Sequence, residues 1–144
     1  NVTNMRSMFY NNGATSLDFS SFDTSKVTTM QYMFFGSAAT NLDLNSFDTS
    51  KVTTMNQMFR NSAAASINLS NFDTSNVTDM NAMFRDSAVT TLDLSGFDMT
   101  NVTNTANMFN GAAATVGYAR TQADATKLNN SSNKPATLTF IIYS

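Results

Sequence analysis

The sequence predicts an α/β repeat solenoid built from 25-residue coils, each carrying a short parallel strand and a short helix and the whole closed by a C-terminal helix-strand cap. Three observations predict it. Large apolar residues return at a fixed interval, the hydrophobic period switches within each interval, and the last interval abandons the pattern.

Val2, Val27, Val52, Val77 and Val102 are spaced by 25 residues without an insertion, as are the columns that start at Met8 and Phe9. The second copy reads KVTTMQYMFFGSAATNLDLNSFDTS and the third KVTTMNQMFRNSAAASINLSNFDTS. Val27, Met30, Met33 and Phe34 fall at i, i+3, i+6 and i+7, the spacing of one face of a short helix. Leu42 and Leu44 then alternate with Asn41, Asp43 and Asn45, which is the period of a strand with one face inward. Strands are expected near residues 16–19, 41–44, 66–69 and 91–94. Asp48, Thr49 and Ser50 form a turn after Phe47 and would cap the next helix. The expected core includes Phe34, Phe59, Met33, Met58, Leu42, Leu44, Ile67 and Leu69. No single unit can bury this face, so the copies must stack.

Residues 1–114 are the tandem repeats and residues 115–144 the cap of the same domain. In the last unit Thr105 replaces a Met, Gly117 takes the slot of Leu92, and Met99 interrupts the preceding Asp-Thr-Ser turn. Thr121 and Asp124 resemble a capping box, and Leu138 to Tyr143 reads as a strand. Residues 1–9 enter at the helix half of a coil, which places Val2, Met5, Met8 and Phe9 at an open end that a preceding repeat or another chain would cover. The sequence is therefore read as a fragment of a longer protein.

With 12% charged residues and a net charge of −2, the chain has no electrostatic footprint for nucleic acid or anionic lipid. Histidine and cysteine are absent, which removes the commonest general base, thiol nucleophiles and the usual zinc ligands. No run approaches the roughly 18 apolar residues of a membrane span. The expectation is a protein without catalytic residues, cofactor, metal or membrane insertion in this stretch.

The unit NVTxMxxMFxxSAxxxLDLSxFDTS and the ending YARTQADATKLNNSSNKPATLTF resemble BspA-like leucine-rich-repeat surface proteins, also described as the mycoplasma-type lipoprotein repeat. The resemblance covers nearly the whole chain. It implies a leucine-rich-repeat-like solenoid at the bacterial cell surface or secreted, adhering to host matrix, mucus or another surface protein or glycan. It brings no catalytic residues and specifies no ligand.

Two carboxylate columns carry the candidate chemistry. Asp23, Asp48, Asp73 and Asp98 would either bridge coils through Ca²⁺ or accept backbone N–H groups within each turn, and the turn reading is preferred. Asp18, Asp43, Asn68 and Asp93 point outward between inward Leu and Phe residues. With Ser16, Asn41, Asn45, Ser66 and Thr91 they form a polar, weakly acidic strip, the candidate partner-binding surface. The bland alternative is a solvated strip that prevents sheet aggregation. A Thr ladder at Thr3, Thr28, Thr53, Thr78 and Thr103 lacks the second Thr column that ice binding needs, and is expected to bond locally. The Met columns read as core. Tyr10, Tyr32 and Phe35 are exposed apolar contact candidates. Asn1, Asn76, Asn101 and Asn130 open Asn-X-Ser/Thr sequons, the first three of which restate the repeat. The functional expectation is a recognition module working through the strand face; the alternative is a structural spacer or stalk with end-to-end self-association.

Overall fold

The computed structural model describes residues 2–143. The sequon residue Asn1 and the terminal Ser144 lie outside the described residues.

Alternation of apolar and polar residues produces short parallel strands at β1 (Asn41–Asp43), β2 (Ser66–Asn68), β3 (Thr91–Leu94) and β4 (Val116–Ala119), followed by α1 (Gln122–Asn129) and β5 (Thr139–Ile142). β1 pairs with β2 through Leu42 opposite Ile67, and β3 pairs with β4 through Leu92 opposite Gly117, each one repeat apart. β5 adds to β4 with Phe140 opposite Gly117. The result is a repeat-built fold of short parallel strands in two separate ladders, β1-β2 and β3-β4-β5. The strand expected at residues 16–19 does not form, so Ser16 and Asp18 sit on a segment without a ladder.

The short helix expected in every coil is also absent, and α1 is the one helix among the described residues. The N–H groups of Met30, Tyr32, Phe34 and Gly36 leave their own coil and donate to the carbonyls of Thr54, Asn56, Met58 and Arg60 at 3.2, 3.0, 2.8 and 2.9 Å. Between them run tight turns, with Met33 N–H donating to the Met30 carbonyl at 3.3 Å and Phe35 N–H to that of Tyr32 at 3.1 Å. Positive φ at Tyr32 (56°) and Gly36 (64°), repeated at Gln57 and Asn61 and at Ala82 and Asp86, reverses the chain where a helix would continue. Asn4, Thr29, Thr54, Asp79 and Asn104 form successive parallel bridges in the same region. The i, i+3 spacing of Met30 and Met33 is thus the period of turns closed by bonds to the third residue back.

Stacking at one repeat places like on like. The Phe9, Phe34, Phe59, Phe84 and Phe109 rings stack with centroids 5.4, 5.6, 5.4 and 6.0 Å apart. Phe22, Phe47, Phe72 and Phe97 form a second column at 6.4, 6.5 and 6.2 Å. Of the expected core, Phe34, Phe59, Met33, Met58, Leu42, Leu44 and Leu69 are buried, whereas Ile67 is half-buried because β2 is not paired with β3. At the N-terminal end Val2 (45% exposed) and Met8 (43%) are open, while Met5 is buried and Phe9 is shielded by Phe34. Buried Thr hydroxyls tie the turns together: Thr24 Oγ1 donates to the Asp48 carbonyl at 3.0 Å and accepts Asp48 N–H at 2.8 Å.

The irregular residues of the last unit have structural causes. A Cβ on Gly117 would meet the Phe140 ring at 2.3 Å, so the Leu slot is empty because β5 fills it. Phe140 then covers Phe109 at 4.9 Å. Met99 stands where earlier coils carry Thr, and its N–H is received instead by Asp124 Oδ1 at 3.2 Å, while its carbonyl accepts from Lys127 Nζ at 2.7 Å. Thr121 caps α1 by accepting Asp124 N–H at 3.1 Å. Phe59 is fully buried and stacked on both sides, so Phe59→Ala is expected to cost about 3–5 kcal/mol in denaturant unfolding, and a loss under about 1 kcal/mol would contradict the ring column.

Candidate functional site

The nine strip residues, Ser16, Asp18, Asn41, Asp43, Asn45, Ser66, Asn68, Thr91 and Asp93, are all exposed. Those on β1, β2 and β3 are held outward by inward Leu42, Ile67 and Leu92. Each central carboxylate or amide also turns its own chain: Asp18 Oδ1 accepts Ser20 N–H at 2.9 Å, Asp43 that of Asn45 at 3.2 Å, Asn68 that of Ser70 at 3.2 Å, and Asp93 that of Ser95 at 3.0 Å. The Ser20 N–H and hydroxyl hold the Asp18 carboxyl below its ordinary value.

Across coils the strip is uneven. Asn68 Nδ2 donates to Asp43 Oδ1 at 2.9 Å, Ser70 Oγ to Asn45 Oδ1 at 3.1 Å, and Asn71 Nδ2 to the Asn45 carbonyl at 2.8 Å, so the second and third coils are closed together. Asp18 and Asp43 are both acceptors and cannot form such a rung. Between Asn68 and Asp93 no such rung forms among the described residues, although the Asn68 amide carries a second N–H. At both places the strands are unpaired and a groove opens. One, of about 250 Å³, has Leu17, Asp18 and Ser20 on one wall and Asp43, Asn45 and Ser46 on the other. The second, of about 220 Å³, has Ile67, Asn68 and Ser70 facing Asp93, Ser95 and Gly96. These are the same positions two coils on. Sequence reasoning found the strip but not the grooves.

Two aromatic residues at the strip's far end were also missed. Tyr118, one repeat beyond Asp93, stacks on Tyr143 at 4.2 Å, and the Tyr143 hydroxyl donates to Asp93 Oδ2 at 3.2 Å. The position of Tyr118 was legible as the next member of the outward column; that of Tyr143 depends on β5.

The other carboxylate column serves its turns. Asp23 accepts Ser25 N–H at 3.1 Å and its hydroxyl at 2.6 Å, Asp48 the same groups of Ser50 at 3.0 and 2.6 Å, Asp73 the Ser75 N–H at 2.9 Å, and Asp98 the Thr100 N–H at 2.9 Å. Among the described residues, no group of three or more His, Cys, Asp or Glu stands close enough to hold a metal ion. The Thr ladder bonds between coils rather than within them. Thr28, Thr53, Thr78 and Thr103 donate their hydroxyls to the carbonyl one repeat earlier at 3.2–3.3 Å.

The chain matches the family described as "Mycoplasma protein of unknown function, DUF285" twice, over residues 1–72 and 63–134. It belongs to that family. The two matches in tandem reflect the internal repetition. No curated protein and no solved structure matches the chain. No helix among the described residues is long and apolar enough to cross a membrane.

The turn carboxylates carry a pH dependence. Side-chain hydroxyls, then backbone N–H groups, hold Asp23, Asp48 and Asp98 below their ordinary value. A lowered folded pKa adds stability that is fully present above the unfolded value of about 3.9 and is lost as pH falls through the folded value. The melting temperature should therefore hold level from neutral pH to about 4 and fall below it, while EDTA at neutral pH leaves it unchanged. A drop of several degrees in EDTA would restore the calcium reading.

Proposed function

We propose that this chain is a leucine-rich-repeat-like solenoid of the BspA type, displayed or secreted by a bacterium, that recognises a host-matrix, mucus or other surface protein or glycan through its strand strip without catalysis. The observation that carries this reading is the strip itself. Its side chains are exposed, it contains no Lys or Arg, and it opens into two grooves at the same positions two coils apart, each with a carboxylate on its wall. A strip whose single task was to resist aggregation would gain nothing from those openings. The aromatic pair Tyr118 and Tyr143 extends the same face with the large rigid rings that dominate contact energy.

A second reading, a spacer or stalk that stacks end to end, draws support from apolar surface at both ends: Val2 and Met8 at one, Ile141, Ile142 and Tyr143 at the other. Sedimentation at rising concentration separates the two, because stacking produces dimers or fibres and a recognition module stays monomeric.

For the strip, the combined change Asp43→Ala, Asn68→Ala and Asp93→Ala should weaken adhesion to mucin- or matrix-coated surfaces by at least about tenfold, as removal of several central polar contacts does, with circular dichroism verifying that the fold survives the loss of three turn bonds and one inter-coil bond. Adhesion equal to that of the unaltered chain would remove the strip as the site.

A further inference from the structure

In a repeat protein, a residue found in every coil is explained by the coil. A surface residue found in one or two coils is not. Three neighbouring slots on the turn segment break the periodicity. One holds Tyr10, Phe35, Arg60, Arg85 and Asn110 in successive coils; the next holds Ser7, Tyr32, Gln57, Ala82 and Asn107; the third holds Arg6, Gln31, Asn56, Asn81 and Ala106. The last coil fills all three with Asn, Asn and Ala on the same backbone, positive φ included. Rings and guanidinium groups in the first three coils are therefore not required by the fold.

They form one cluster. Tyr10 stacks on Phe35 with centroids 4.8 Å apart and planes 10° from parallel, and Tyr32 lies 6.3 Å from Phe35. The Arg60 guanidinium sits 5.4 Å from the Phe35 centroid and that of Arg6 sits 5.3 Å from the Tyr32 centroid. Gln57 joins them, donating from Nε2 to the Tyr32 hydroxyl at 3.3 Å and accepting Arg60 Nη1 at 2.8 Å. Tyr10 is 48% exposed, and Tyr32, Phe35 and Arg60 are half-buried. Arg60 Nε is buried without an acceptor, a cost that the repeat does not explain.

Charge singles out the same cluster. The ion pairs among the described residues belong to Arg85 and Arg120. Arg6 and Arg60 rest on ring faces instead. Residues 1–15, 28–42 and 53–67 contain no Asp or Glu, although the chain as a whole carries 10 acidic residues against 8 basic ones. Of the carboxylates on the turn segment of the fourth coil, Asp79 is occupied by Asn56 Nδ2 and the Asn81 N–H, at 3.1 and 2.9 Å, and Asp86 pairs with Arg85. Two uncompensated guanidinium groups thus flank a plate of aromatic rings on an otherwise acidic protein.

We propose that this patch is a second binding site, distinct from the strand strip, that takes an acidic saccharide bearing carboxylate or sulfate groups. The flat C–H face of a sugar ring packs on the exposed Tyr10 ring, its hydroxyls meet the Tyr10 and Tyr32 phenols, and its anionic group pairs with a guanidinium, which offers a fork of donors matched to planar oxyanions. Two arginines are too few for the phosphate contacts on which nucleic-acid affinity depends. An acidic peptide would use the arginines but leave the rings without a role.

Isothermal titration with hyaluronan oligosaccharides, chondroitin sulfate oligosaccharides, a neutral cello-oligosaccharide and hexaglutamate tests this on the chain as it stands. The first two report carboxylate-only and sulfate-bearing sources of the same chemistry. At least one should bind, more weakly at higher salt, and the neutral sugar should not. Arg60→Asn, Arg6→Ala and Tyr10→Asn install residues that the last coil carries in the same slots, so folding is expected to survive and circular dichroism verifies it. Each should lower the affinity by about fivefold or more, as loss of a charge-assisted bond or ring contact does. Failure of both acidic saccharides to bind, an affinity untouched by all three variants, or equal binding of hexaglutamate with no dependence on Tyr10 would overturn the proposal.

Discussion

Everything in this molecule hangs on an unbroken 25-residue register. The Thr28, Thr53, Thr78 and Thr103 N–H groups each find the carbonyl one repeat earlier at 2.8–3.0 Å, and the turn segments send every second N–H to the coil that follows. Because strand side chains alternate, one inserted residue would exchange Leu42 and Leu44 with Asp43 and Asn45 between core and surface. The same register that stacks Phe on Phe also stacks Asp on Asp. Apolar columns profit from this, since identical rings nest at 5.4–6.5 Å. Carboxylate columns cannot, because neither member donates.

The fold resolves that conflict locally. Asp23, Asp48, Asp73 and Asp98 each accept from the Ser or Thr two residues later, and Asp98 also pairs with Arg120 at 2.9 Å. On the strip, one coil substitutes Asn68 for Asp, and its amide closes the interface with Asp43. The opening between Asp18 and Asp43 lies where two carboxylates face each other and neither donates.

Much of this was legible from the residues. Leu42, Leu44 and Leu92 declared their strands by alternation, the interval declared the stacking, and Thr121 with Asp124 declared the start of α1. The turn segment misled because Met30 and Met33 are three apart in a turn as in a helix. Half of the corrective signal was present: the reversal column reads Asn11, Gly36, Asn61, Asp86 and Gly111, residue types that tolerate positive φ. The other column, Ser7, Tyr32, Gln57, Ala82 and Asn107, carries that signal only at Asn107, and its N–H groups at Ser7, Tyr32, Gln57 and Ala82 bond to the neighbouring coil. The missing strand at 16–19 and the half-buried Ile67 were hidden for a related reason. Both depend on whether the strands of two particular coils pair, and an apolar pattern that is the same from coil to coil does not report that.

Periodicity also separates what the fold demands from what it merely permits. Strip residues recur because any coil can carry them, and the strip's length grows with the number of coils. A partner read by such a face is read by repetition. The Tyr10, Tyr32, Phe35, Arg6 and Arg60 cluster differs, since it sits on one wall of the first coils and its slots revert to Asn or Ala further on. Carboxylates punctuate the first surface and guanidinium groups on ring faces the second, so the two differ in the sign of their charge. Two faces of one stack can therefore be altered independently by point substitution, provided each substitution keeps the interval from Val27 to Val52 and onward unchanged.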